Sequence, residues 1–390
     1  MLDRLAPELI LHVVSFLPRH GPIDLNEERL STLSSLSLVS RHFRKVVHPK
    51  LFEAFRLPDW NVLKSLEGVP ELLKKHGGQT RVFSTRRMLG ADSLKPVLEA
   101  CPALIDVRLI LCTVTPESFA GPLANLKHLV LDRSNLFDIA VAPILSNLVS
   151  LSIALLTVRP PLMEDFLTPR CLPSLRALAV HPYGSTEPPR GCEYTGSRDL
   201  SPQKYPRFDN PAFLRQLDIF QCVLRYFHTV LPVVQVVERS VPVLVTIDLW
   251  DEGSVTRLAD DDFGGLQRRN LYPRVDWYPG SQLYTGSTTA TGFAVGRLHE
   301  LEACLHRLSL STLFLPLNFP PEVKTSALAF TAARDRVVAT CERQGVQVHW
   351  VGNSSGEGPY GSVCEEFWRW AKEKKAKLAV AQQEGKDAEA

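Results

Sequence analysis

Between Leu5 and Phe55 the apolar residues keep helical spacing. Leu9, Val13 and Leu17 recur every four residues and share one face of a helix starting near Pro7 and Glu8, a proline and an acid that suit a first turn. A second stripe follows at Leu33, Leu36 and Val39. Ser40 then caps a short third helix carrying Phe43, Val46 and Val47, which His48-Pro49 is expected to end because the residue before proline is pushed out of the α region. Three such helices bury little surface, so a partner or the chain that follows must complete them.

From Leu104 onward the spacing changes to Leu-x-x-Leu-x-Leu with aliphatic substitutes. It fits Leu104-Val107-Leu109, Leu126-Leu129-Leu131, Leu148-Leu151-Ile153 and Leu175-Leu178-Val180, then Leu214-Leu217-Ile219, Leu244-Ile247-Leu249 and Leu305-Leu308-Leu310. The first four starts fall at a repeat length of roughly 20–29 residues and the later ones spread wider. Cys112 with Val114 and Cys222 with Leu224 also satisfy the ninth and eleventh positions of a longer template. Each unit of this kind supplies a short strand and a return segment that are buried only when neighbours stack, which predicts an α/β chain with parallel strands on a concave face and helices on a convex one. Return helices are expected at Ser93–Ala100 with Asp92 as cap, at Asn135–Leu145 and at Pro161–Leu167, and an atypical first repeat within Asp59–Arg87.

Two stretches interrupt the repeats, near 181–211 and 251–296. Both are rich in Gly, Ser, Thr or Pro and read as surface loops or disorder. Phe330–Glu342 reads as a helix, Val346–Val351 as a last strand, and Cys364–Ala381 as a helix whose Phe367, Trp368 and Trp370 close the end of the stack. The expected division is a helical segment over 1–57, a repeat body over 58–370 and a polar, disordered tail over 371–390.

Composition narrows the function. The 390 residues are 45% hydrophobic with net charge +2, so no bulk field selects nucleic acid or an anionic membrane. No run approaches the ~18 apolar residues of a membrane span, and the Leu9–Leu17 run lacks the flanks of a secretory signal. The 8 cysteines form no CxxC pair and no cysteine–histidine cluster, as expected of reduced thiols in the cytoplasm or nucleus. Lys372, Lys374, Lys375 and Lys377 read as a solvated face.

Enzyme-like strings fail in context. Gly352-Asn353-Ser354-Ser355-Gly356 matches a nucleophile elbow, but no histidine follows His349 to complete a triad in that order. Gly356 to Gly361 matches a dinucleotide fingerprint, but no further strand bearing an acid follows. Asp260-Asp261-Asp262 lacks the spaced oxygens of a calcium loop. No catalytic, cofactor or metal site is predicted.

The N-terminal string resembles the F-box: Leu5, Glu8, Leu9, Val13 and Leu17, then Val39, Ser40, Arg41 and Phe43 stand where that family carries its pattern. Ala6 replaces the usual proline, and the Leu17–Val39 spacing is lengthened by PRHGPIDLNEERL. With the repeats behind it, the chain is similar to fungal F-box proteins with a leucine-rich-repeat-like solenoid. The resemblance implies a non-enzymatic substrate receptor of a cullin-RING (SCF-type) ubiquitin ligase. In that reading Leu5, Glu8, Leu9, Val13, Leu17, Leu36, Val39, Ser40 and Phe43 meet a Skp-type adaptor and through it a cullin, and the repeats hold a target protein. The alternative is a noncatalytic leucine-rich-repeat scaffold without a ligase role.

Overall fold

The computed structural model describes residues 5–17, 27–57, 69–85, 87–115, 125–136, 143–155, 165–182, 210–223, 234, 236–248, 270–276, 288–308, 310–317, 327–351 and 363–389. These belong to two compact units, Met1–Leu175 and Arg176–Ala390. Both are α/β with parallel strands. Among the described residues no helix is long and apolar enough to cross a membrane.

The first unit opens with α1 (Pro7–Ser15), α2 (Glu27–Val39) and α3 (Arg41–Leu51). Pro7 occupies the first turn of α1, where its missing N–H would have had no intrahelical partner. Ser40 caps α3 as expected, its hydroxyl accepting from the Phe43 amide at 3.2 Å. His48-Pro49 does not end α3. The helix runs on to Leu51, and Phe52 N still donates to His48 O at 3.2 Å, because a proline in the last turn removes only one bond. Ile10, Val14, Leu33, Phe43 and Val47 pack into one small core.

Behind the helices come β1 (Ala54–Leu57), α4 (Val69–His76), β2 (Val82–Thr85), α5 (Ala91–Glu99), β3 (Asp106–Ile110), β4 (Thr113–Val114), β5 (His128–Leu136) and β6 (Ser150–Leu155). The main strands pair in parallel in chain order, with β4 beside β5. Register carries the repeat across the sheet: Phe83 faces Val107, Val107 faces Leu129 and Leu129 faces Leu151. One corner hydrogen bond recurs ahead of each strand, from Arg81 N to Glu53 O, Ile105 N to Arg81 O and Lys127 N to Ile105 O at 2.8 Å, and from Val149 N to Lys127 O at 2.7 Å. The repeat therefore begins at β1, ahead of Leu104. Thr80 takes the first leucine position of the β2 repeat, and its hydroxyl donates to Phe52 O at 3.0 Å. At the ninth position Ser134 serves in place of Asn or Cys: its hydroxyl donates to Leu109 O at 3.1 Å and accepts from Cys112 N at 3.2 Å.

Helix α5 starts at Ala91 after Gly90, and Asp92 lies inside it rather than capping it. The helix expected over Asn135–Leu145 is not found among the described residues: Asn135 and Leu136 finish β5, Pro143–Leu145 carries no regular structure, and the rest lies outside the described residues. Of Pro161–Leu167, only a turn at 165–166 is helical among the described residues.

The second unit holds β7 (Ala177–Pro182), α6 (Pro211–Gln216), β8 (Ile219–Val223), β9 (Val243–Asp248), β10 (Leu271–Asp276), α7 (Thr288–Leu308), β11 (Thr312–Pro316), α8 (Ala327–Arg343), β12 (Gln347–Val351) and α9 (Glu365–Glu389). Its strands are parallel in chain order. Three expected frames are corrected here. Phe220 and Cys222 stand opposite Leu178 and Val180, so the fifth repeat reads Leu217-Phe220-Cys222. Val243 and Val245 stand opposite Phe220 and Cys222, which displaces the Leu244-Ile247-Leu249 frame. Leu305 and Leu308 lie in α7 and carry no strand.

The stretch 251–296 is not all loop, since it contains β10 and the start of α7; the remainder, most of 181–211, the glycine-rich 352–361 and Asp260 to Asp262 lie outside the described residues. Helix α8 and strand β12 fall as predicted. Gly345 ends α8 at φ +70, with Val346 N donating to Cys341 O at 2.8 Å. The C-terminal helix continues through the 371–390 segment expected to be disordered, as far as Glu389.

Candidate docking surface

Helix α1 carries two stripes. Ile10 and Val14 face the helical core with Leu17 half-buried beside them, whereas Leu9, Val13 and Phe16, at i, i+4 and i+7, face solvent. Val13 is 60% exposed and Phe16 75%. Leu5 lies one turn ahead of Leu9 and is also exposed, and the His12 and Phe16 rings meet edge to face at 4.9 Å. The sequence reading put Leu17 on the outer stripe and missed Phe16; the 3.6-residue period assigns Leu17 to the inner one.

The α2–α3 corner adds to this surface. Leu38 and Val39 are exposed at the end of α2, and His42 Nε2 lies 2.9 Å from Leu5 O, which brings the start of α1 beside that corner. Arg29 fastens α2 to α1 from behind: its guanidinium donates to Val14 O and Leu17 O, each at 3.3 Å. Ser40 is spent as a cap, Glu8 is exposed in the first turn of α1, Leu36 packs partly against the core, and Phe43 is buried within it. The structure thus divides the nine sequence-predicted residues. Leu5, Glu8, Leu9, Val13 and Val39 are presented outward, while Leu17, Leu36, Ser40 and Phe43 support them. Leu11, Phe16 and Leu38 are exposed apolar residues that the motif did not mark.

The strands offer two different faces. In the first unit, several side chains that alternate with the repeat leucines are polar: Asp106, Arg108, Ser150 and Ser152 are buried and His128 is partly buried, with the apolar Ile110 and Val130 among them. His128 Nδ1 and Ser150 Oγ share a hydrogen bond of 2.7 Å, and Asp106 Oδ1 lies 3.9 Å from Nε2. Burial outweighs that carboxylate and pulls the His128 pKa down to about 4, with Lys127 adding to the shift, so the ring is neutral and the contact is not an ion pair. The row has the composition of a hydrolase triad without its geometry. The Asp–His separation exceeds a hydrogen bond, and Ser150 is 4% exposed.

In the second unit the corresponding face mixes apolar and polar side chains and is covered. The first turns of α9 lie on it, with Phe367 and Ala371 packed into a cluster with Ala177, Ile219, Leu244, Tyr272 and Phe314. Trp368 and Trp370 therefore pack on the face of the sheet and do not close an end of the stack. Among the described residues seven cysteines are buried as thiols outside any disulfide, and no group of side chains could hold a metal ion. Burial raises the thiols of Cys101 and Cys341 to about 11 and of Cys112 to about 12. Compared with known proteins, the chain matches no family model and no curated protein.

Proposed function

We propose that the chain is a noncatalytic receptor of an SCF-type ubiquitin ligase: the three N-terminal helices form an F-box that docks a Skp-type adaptor and through it a cullin, and the leucine-rich-repeat-like body holds the protein to be ubiquitinated. The observation that carries the reading is the Leu9-Val13-Phe16 stripe beside Leu38 and Val39, large apolar side chains in water on helices that already have a core of their own. Burying one such side chain stabilises a complex by ~1.5–3 kcal/mol, so a groove that accepts the stripe gains enough to hold a helix. A ligase receptor works in the cytoplasm or nucleus and needs no chemistry of its own, because its role is to present target lysines to another subunit's active site. A scaffold with no ligase role would leave this stripe without a purpose.

The test is capture of a purified Skp-type adaptor by the full chain and by the Leu9→Asp/Val13→Asp variant. The intact chain captures the adaptor and the variant does not, while its circular dichroism stays unchanged. Equal capture by both, or none by the intact chain, refutes the proposal.

A further inference from the structure

The covered sheet face of the second unit has an unusual occupant. Helix α9 is 25 residues long, yet among its described side chains only those of the first turns are buried, and Leu378 and Val380 stand in solvent at 56% and 57% exposure. Polar groups fasten those turns. Gln221 Oε1 accepts from Cys364 N at 2.9 Å, Asp218 accepts from Trp368 Nε1 at 3.3 Å and faces Lys375 Nζ at 3.5 Å, and Lys374 Nζ donates to Tyr272 Oη at 2.5 Å. Lys374 also lies over the Trp370 ring and Lys372 over the Trp368 ring. Of the lysines that read as a solvated face in the sequence, Lys374 and Lys375 reach the sheet, while Lys372, Lys375 and Lys377 are exposed as expected.

The seat is imperfect. Thr246, Arg274, Phe314 and His349 occupy one cross-strand row of the covered face. Thr246 is fully buried and its hydroxyl has no hydrogen-bond partner among the described residues; His349 Nε2 is also buried without one there, although the ring lies against Phe314 and Trp370. An unpaired buried polar atom costs ~1–3 kcal/mol, so a segment that offered partners to these two would outcompete α9 on the same seat. A repeat wall binds through this face.

The geometry points to a helix-receiving surface on the second unit: α9 is its resident occupant, and a helix of a partner protein displaces it. The incoming helix brings aromatic side chains to the small Ala177 and Ala179 and the aromatic Tyr272 and Phe314, a cation to Asp218, and polar groups to Thr246 and His349. This surface is a property of the second unit alone. It does not depend on the adaptor reading, and a chain that fails to capture the adaptor tests that reading and not this one.

The test uses the full chain with a specific protease sequence inside 352–361, cut after folding, and a labelled peptide of residues 363–381. The peptide replaces the cut helix while the remaining chain keeps its circular dichroism, and it binds the uncut chain at least tenfold more weakly, since a tethered helix competes at a millimolar effective concentration. In the uncut chain Cys364, at the root of α9, is alkylated at least tenfold faster than Cys222 on β8, because undocking exposes one thiol and only unfolding exposes the other. The inference is overturned if the cut helix does not exchange, if its departure unfolds the sheet, or if the peptide binds cut and uncut chains alike.

Discussion

Val13 and Val14 are neighbours of identical chemistry on α1 with opposite surroundings: Val13 is 60% exposed and Val14 is 2% exposed among Ile10, Leu33, Phe43 and Val47. A carboxylate at position 13 stays in water, so Val13→Asp should change stability by no more than ~0.5 kcal/mol. The same change at position 14 buries an unpaired charge and should melt the helical core. Urea unfolding of the two variants beside adaptor capture separates surface from support. The docking reading requires that Val13→Asp loses capture with an unshifted midpoint.

That contrast also marks where sequence reasoning worked. The three helices, the Ser40 cap and the Leu104 to Val180 frames were legible because one periodicity ruled each stretch and one face of each element was apolar. It failed where two readings shared a spacing. Leu305 and Leu308 are three apart on a helix face as readily as in a repeat, and Leu214 and Leu217 belong to α6 and the turn after it. In β9 every residue from Val243 to Ile247 is buried, so alternation could not set the frame. Strand β2 lies where an atypical first repeat was expected and departs from the template because Thr80 and Thr85 take positions assigned to leucine; β1 precedes that stretch, and β10 was hidden because a proline lies within it. The motif's residues fall on both exposed and supporting faces of α1 to α3, because it records a pattern and not a face. The position of α9 on the sheet had no local signal.

The neutral, partly buried His128 predicts how stability responds to acid. Its folded pKa is about 4 against an ordinary 6.5, so the unfolded chain takes up the proton first. Stability from this group is intact above pH 6.5, declines as the pH falls below it and is lost by about 4, a change on the order of 3 kcal/mol. Burial also lowers the pKa of His76 and His349, so they act in the same sense. Replacing His128 with Gln, which can still bond Ser150, should flatten the decline in urea-unfolding free energy between pH 7 and pH 4.5. An unchanged slope would place the titration elsewhere.

The unpaired Thr246 hydroxyl gives a substitution expected to stabilise. Thr246→Val keeps the branched shape, removes a buried polar atom that has no partner among the described residues, and should raise unfolding free energy by ~1 kcal/mol. A calorimetric midpoint that falls instead would show that the hydroxyl is satisfied in solution. The same variant should bind a displacing partner helix less well.

The joint between the N-terminal helices and the first strands rests on one glycine. Phe52 stacks on His76 at 4.1 Å with His48 edge-on to both, and Gly77 follows directly, its Thr80 amide contact closing the turn into β2. A Cβ at Gly77 would sit 2.0 Å from the Ala100 carbonyl oxygen, and backbone at the end of α5 cannot move aside as a side-chain tip can. Gly77→Ala should therefore cost ~1–3 kcal/mol, as overpacking does. Gly78→Ala, which meets nothing within 4 Å, should be neutral or gain up to ~1 kcal/mol from a stiffer unfolded chain. Thermal midpoints of this pair, one residue apart, isolate steric closure from glycine's flexibility; a loss at Gly78 equal to that at Gly77 would show that flexibility and not contact governs the joint.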